Sequence, residues 1–230
     1  MKGKFYYITD RAFTEGGAIK NPVTFLDHEM GAVYPHFYET DYDVKIIASK
    51  APTKAEIENQ RKYIFYNDYR ERYGSLDIRT IDEEVEKHPA KRIFLNGFNQ
   101  EQWEYIAPLI RDTAEQIYLF KCPRIRDLSL LSGFKHLKCL LIFWNNTLEN
   151  LWDMRENREL QAISFEFVSK IRDVSALRES TVDYVTLDSA DNNGNVKEIL
   201  FDPAIFDEMP HIRHLRLEYR RCHITRAPGE

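Results

Sequence analysis

Apolar residues recur along this chain in short groups of one shape. Leu137-Lys138-Cys139-Leu140-Leu141-Ile142-Phe143-Trp144-Asn145 reads as L-x-x-L-x-L-x-x-N. Groups of similar form begin at Ala114, Leu160 and Val182, with a fainter copy at Ala90 and a last one at Ile212. The starts 90, 114, 137, 160 and 182 are 22 to 24 residues apart, and the step to 212 is 30. Positions 4 and 6 of each group alternate as the buried side of a β-strand does. With position 1 they form the triplets Ala114, Ile117, Leu119; Leu137, Leu140, Ile142; Leu160, Ile163, Phe165; Val182, Val185, Leu187; and Ile212, Leu215, Leu217. One such group has too little apolar surface to fold alone, but stacked groups share a continuous core. The spacing therefore predicts Ile117, Leu140, Ile163 and Val185 in adjacent parallel strands, about 4.8 Å per step.

A second register carries the same period. Ile125-Arg126-Asp127-Leu128-Ser129 and Ile171-Arg172-Asp173-Val174-Ser175 are nearly one pentapeptide, 46 residues apart, or two units of 23. Ile125, Leu128 and Leu131, and then Ile171, Val174 and Leu177, extend the core on the segments that return between strands. The competing reading is an ordinary α/β domain with several alternating strands.

These groups resemble the leucine-rich repeat family, in its short bacterial or protein-phosphatase-regulator-like form. The resemblance covers about Ala90 to Tyr219. It implies an α/β fold, a curved leucine-rich repeat solenoid with parallel strands on the concave face and short helices or turns on the convex side. Asn145 occupies the family's asparagine position, where its side chain would bond backbone groups of the turn. Cys122 is an accepted substitute there, whereas Val168 and Ala190 depart from the pattern.

Ahead of the repeats the pattern changes. Lys4 to Thr9 and Val44 to Ala48 read as strands, and Gly16, Gly17, Asn21 and Pro22 punctuate a loop. Thr53-Lys54-Ala55-Glu56 has the form of a capping box, opening a helix to about Tyr73 that stops at Gly74. Leu76, Ile78 and Ile81 suit an irregular first repeat. An open solenoid needs its ends covered. Residues 1–75 are thus expected to be an N-terminal cap or small appended α+β segment. Residues 76–230 are expected to be the solenoid, with a short C-terminal cap from Ile212 to Ile224.

Composition narrows the function classes. The 230 residues are 43% hydrophobic and 30% charged, as in a globular protein. The net charge of -5 argues against a dedicated nucleic-acid binder. No run suits a membrane span, and the start Met1-Lys2-Gly3-Lys4-Phe5-Tyr6-Tyr7 does not look like a secretory signal. Three cysteines make no disulfide framework, which points to a reducing, cytoplasmic setting.

Chemistry-bearing motifs are sparse. His211 and His214 fall three apart in a predicted strand, on opposite faces, so they do not converge on a metal. Asp191-Asn192-Asn193-Gly194 fits a turn, because Ser189 and Leu200 occupy positions where a calcium loop needs oxygen-rich ligands. Cys122 and Cys139 read as a turn residue and a concave-face residue. No serine sits in a nucleophile elbow. No catalytic residue, metal or cofactor is assigned.

Strand positions 3, 5, 7 and 8 are expected on the solvent side of the concave face. In the first units they are Arg92 followed by an unusually apolar set, Phe94, Tyr118, Phe120, Leu141, Phe143 and Trp144. Later they are Glu166, Phe167, Tyr184, Thr186, Asp188, His214, Arg216, Glu218 and Tyr219. Contiguous apolar surface usually marks a contact site. The expected function is therefore non-catalytic binding of an unidentified protein or peptide. Phe94, Tyr118, Phe120, Leu141, Phe143 and Trp144 would supply affinity, with Glu166, Asp188 and Arg216 setting orientation. The internal alternative is that residues 1–75 fold over this patch. The functional alternative is an N-terminal enzymatic or small-ligand-binding domain with the repeats as targeting module, for which Asp10, Arg11, His28, His36 and Asp41 are the scattered candidates.

Overall fold

The computed structural model describes residues 6–10, 19–20, 41–42, 44–47, 76–80, 91–190 and 195–227. Ahead of the repeat region lie β1 (Tyr6–Asp10), β2 (Ile19–Lys20), β3 (Asp41–Tyr42), β4 (Val44–Ile47) and β5 (Leu76–Thr80). Next come β6 (Arg92–Asn96), the helix α1 (Gln100–Ile110), β7 (Gln116–Phe120), β8 (Cys139–Phe143), β9 (Ala162–Glu166), β10 (Tyr184–Asp188) and β11 (His214–Tyr219). The last strand is β12 (Cys222–Arg226).

Strands β6 to β11 pair in parallel, each with the next in sequence, and β12 closes the run antiparallel. The result is an α/β fold on an open, mostly parallel seven-stranded sheet. Ile117 pairs with Leu140, Leu140 with Ile163, and Ile163 with Val185, as the spacing predicts. Beyond β6 the sheet continues through β4, β1 and β5, while β2 and β3 pair separately.

The N-terminal strands at residues 6–10 and 44–47 fall close to where the sequence places them. The expected first repeat does not. Leu76–Thr80 pairs antiparallel with β1 at the far edge, and β4 takes the place beside β6. The 81–91 connection between β5 and β6 is at the lower end of the dozen or so residues that join parallel neighbours. The helix expected from Thr53 and the loop at Gly16, Gly17, Asn21 and Pro22 lie outside the described residues.

The connections explain the second register. Short 3-10 turns at Ser129–Gly133, Ser175–Glu179 and Pro203–Glu208 bury Leu131, Leu177 and Phe206 against one face of the sheet. The repeated pentapeptide is a local capping device. Asp127 accepts from the Ser129 backbone N–H at 2.7 Å, and Asp173 from that of Ser175 at 2.8 Å. α1 was not legible from the 23-residue spacing. It is opened by a capping box between Asn99 and Gln102, which satisfies two backbone donors at once. Its buried residues Trp103, Ile106, Ala107 and Ile110 join the same core.

The turn after each strand is held by a buried polar side chain. Asn145 donates to the carbonyls of Cys122 (3.1 Å) and Ile125 (2.8 Å) and accepts from the N–H groups of Thr147 and Leu148, both at 2.9 Å. Cys122 holds the corresponding place one strand earlier, its thiol 3.4 Å from the Phe120 carbonyl and 3.7 Å from that of Leu95. In the β10 unit the place belongs to Ser189 rather than Ala190. Its hydroxyl accepts from the Lys197 N–H at 3.0 Å and lies 3.1 Å from the Glu218 carbonyl. Asn157, unmarked by the sequence pattern, is fully buried on the return side. It donates to the carbonyls of Leu131 and Phe134 and accepts from the Trp152 indole N–H.

Candidate functional site

The two faces of the sheet carry different side chains. On the first, two apolar rows cross β6 to β11: Ile93, Ile117, Leu140, Ile163, Val185, Leu215, and Leu95, Leu119, Ile142, Phe165, Leu187, Leu217, aliphatic but for Phe165. They pack under α1 and the 3-10 turns. On the second, Phe94, Tyr118, Phe120, Cys139, Leu141, Phe143, Ala162 and Tyr184 form a separate cluster. The rings of Phe120 and Phe143 stack at 5.2 Å, and Phe94 lies 5.5 Å from Phe120.

This second face corrects the expected exposure. Phe94 (2%), Tyr118 (1%), Phe120 (8%), Leu141 (3%) and Phe143 (3%) are buried. Strands buried on both faces lose the alternation by which a solvent side is read. Every described helix packs on the first face; the suggestion that residues 1–75 cover the second lies outside the described residues. Tyr219 is likewise core, fully buried with the first-face cluster. Glu166, Asp188 and Arg216 are half-buried at the polar end of the second face. There Phe143 pairs with Glu166, Asp188 with Glu218 and Thr186 with Arg216.

Trp144 alone among the six apolar candidates remains exposed, at 38%. The backbone explains why. Gly97, Lys121, Trp144 and Phe167 each follow a strand, and all have positive φ: 76°, 51°, 63° and 55°. The left-handed conformation ends the strand and turns the side chain outward, at a cost that only glycine escapes. The turn is fixed by bonds to the next strand, Lys121 N–H to the Phe143 carbonyl (2.8 Å) and Trp144 N–H to that of Glu166 (2.9 Å). A rim results at the carboxyl ends of the strands. Lys121 Nζ stands 5.4 Å from the Trp144 ring and 5.1 Å from that of Phe120, within cation–π range. Half-buried Phe167 packs edge-on against Phe143 at 4.6 Å. With its amide oriented to suit its neighbours, Asn146 accepts from Trp144 Nε1 and donates to the Phe167 carbonyl, both at 3.3 Å. Lys121 and Phe167 were not singled out as a pair with Trp144 in the sequence; their 23-residue separation is the signal that finds them.

The chemistry of the remaining groups is quiet. Burial pushes the Cys122 thiol up to about 12, which removes the thiolate a nucleophile needs. Burial also raises Cys222, Tyr118 and Tyr219. His211 is not in a strand; its ring lies 2.9 Å from the Leu177 carbonyl, whereas His214 opens β11 and stacks on Tyr184 at 5.4 Å. Among the described residues no group of three or more His, Cys, Asp or Glu is placed to hold a metal. Asp191-Asn192-Asn193-Gly194, Arg11, His28 and His36 lie outside them. No described helix is long and apolar enough to cross a membrane.

Comparison with family models, curated proteins and solved structures returns no match for this chain.

Proposed function

We propose that the chain is a leucine-rich repeat solenoid that binds another protein without catalysis, and that its contact surface is the rim centred on Trp144. The observation that carries this reading is Trp144 itself. It is a large aromatic held in solvent by a left-handed turn, tied through its backbone to β9 and flanked by Lys121 and Phe167. Tryptophan is among the commonest anchors of protein interfaces. A side chain already fixed before contact loses little entropy when the partner arrives. Glu166, Asp188 and Arg216 continue the surface along the sheet and set orientation more than affinity.

Partner capture from lysate of the native organism tests this. Wild type is compared with a Trp144→Ala, Phe167→Ala double variant whose fold is checked by circular dichroism. The variant is expected to lose the specifically recovered proteins. Recovery of the same proteins in the same amounts places the contact elsewhere.

A further inference from the structure

The rim is not only aromatic. Successive layers repeat every 23 residues, so Lys121, Trp144 and Phe167 fall in one row and Arg124, Thr147 and Lys170 in the next. Hydrogen bonds hold those layers side by side. Thr147 Oγ1 donates toward the Pro123 and Ile125 carbonyls at 2.8 and 3.1 Å. Arg172 N–H donates to the Glu149 carbonyl at 2.7 Å, and Asn150 bridges Asp173 in parallel. This register places Lys170 beside Thr147.

Lys121, Arg124, Arg126, Lys170 and Arg172 are all exposed. Arg172 lies 3.7 Å from Glu149; the other four have no carboxylate in ion-pair reach among the described residues. Two of the nearby acids keep their charge but spend hydrogen bonds on local caps. Asp127 caps Ser129 through its backbone N–H (2.7 Å) and hydroxyl (2.9 Å), and Asp173 caps Ser175. A chain of net charge -5 thus gathers, around its exposed tryptophan, five basic side chains against three exposed carboxylates nearby, Asp127, Glu149 and Asp173.

Resting on the reading above that this rim binds protein, we propose that its partner is an acidic, extended peptide segment, with carboxylates on Arg124 and Lys170 and an apolar side chain on Trp144. Arg124 and Lys170 stand two layers apart, about 10 Å. An extended chain covers that distance in three residues. The preferred segment therefore has acidic residues three apart with an apolar residue between. A long polyanion gains little more than a short segment, because its charges more than about 8 Å beyond the rim are screened from the basic side chains at physiological salt.

The test uses the full chain and three labelled nine-residue peptides: Glu-Val-Thr repeated three times, the same peptide with Gln for Glu, and the same with Lys for Glu. Binding is read by fluorescence anisotropy in low salt, with the change in tryptophan emission that is lost in Trp144→Phe as a second signal. The Glu peptide is expected to bind at least about tenfold tighter than the Gln peptide, and to weaken as salt is raised. An Arg124→Glu, Lys170→Glu variant is expected to lose that preference and favour the Lys peptide. Equal binding of the Glu and Gln peptides, or no binding of either, overturns the proposal. So does tighter binding of a single-stranded oligonucleotide of matched charge, which would mark the rim as a nucleic-acid surface. The two readings separate cleanly. If Trp144→Ala abolishes partner capture while the Glu peptide fails to bind, the protein-binding rim stands and the acidic-segment assignment falls. If capture survives Trp144→Ala and Phe167→Ala, the rim itself is wrong.

Discussion

One face of the sheet is uniform and the other is graded. The first face repeats apolar residues in every strand from β6 to β11, all at 2% exposure or less. The second begins with Phe94, Tyr118, Phe120, Leu141 and Phe143 and ends with Ser164, Thr186, Asp188, Arg216 and Glu218. The first face carries the core under α1 and the 3-10 turns, so every strand presents apolar side chains there. Both faces hold buried apolar clusters, but only the second grades into polar side chains toward its far strands.

Two truncations measure the two faces directly. Leu140→Ala on the first face is expected to cost about 2–5 kcal/mol through lost burial and a cavity. Phe143→Ala on the second is expected to cost about 3–5 kcal/mol, since Phe143 is 3% exposed and contacts two aromatic rings. Urea unfolding gives both. A Phe143→Ala loss under about 1 kcal/mol would mean that the second face is not packed as core, and the comparison would collapse into one of core against surface.

The contrast also separates what the residues made legible from what they did not. The first face was legible because its signal is redundant: Leu140, Ile163 and Val185 are aliphatic, alternate with their neighbours and recur at one spacing. Asn145 was legible because an asparagine at a strand end has one job. The second face was misread because Phe120 and Phe143 sit where an alternating strand would meet solvent, and strands buried on both faces carry no alternation to show which side is open. Ser189 was missed because the β10 unit reaches its turn one residue sooner than a fixed count allows. α1 carries its own capping box and apolar spacing, but a search for 23-residue periods passes over a helix found in one unit only.

Asn145→Ala is the next largest effect. It would strand the N–H groups of Thr147 and Leu148 at a fully buried side chain, while the Cys122 and Ile125 carbonyls would each keep one donor, Ile125 N–H and Thr147 Oγ1. Buried groups left unpaired cost about 1–3 kcal/mol each, partly relieved by relaxation, so a net loss of about 3 kcal/mol is expected. Cys122→Ala, removing only weak thiol bonds at the corresponding turn, should cost less. A reversed order would mean that the turns are held by packing and not by the ladder of polar side chains.

Ser164→Ala works in the opposite direction. Ser164 lies between Leu141 and Thr186 on the second face, 2% exposed, and its hydroxyl has no hydrogen-bond partner. Replacing an unsatisfied buried hydroxyl by a methyl hydrogen is expected to raise stability by about 1 kcal/mol. Thermal unfolding decides it. A destabilisation of similar size would show that the hydroxyl is satisfied in solution, and that this part of the second face is more polar than its burial indicates.

The smallest effect concerns the rows' amino ends, where charge and not shape joins three layers. Glu115 lies 2.6 Å from Lys138 and 2.6 Å from Lys91, and these contacts, Lys138 first, hold its carboxyl below the ordinary glutamate range. A folded-state value below the unfolded one means that stability is fully present above the unfolded value, near pH 4–5, and is lost as pH falls through the folded one. Both lysines are substantially exposed, so solvent screens the pairs and Glu115→Gln is expected to cost at most about 1 kcal/mol at pH 7. The difference from wild type should shrink below pH 4 and in molar salt, while the losses from Leu140→Ala and Phe143→Ala should persist under both conditions. Urea unfolding of all three variants at pH 7 and pH 3 makes the comparison. A Glu115→Gln deficit unchanged at pH 3 would assign this carboxylate a packing role like that of the faces it borders.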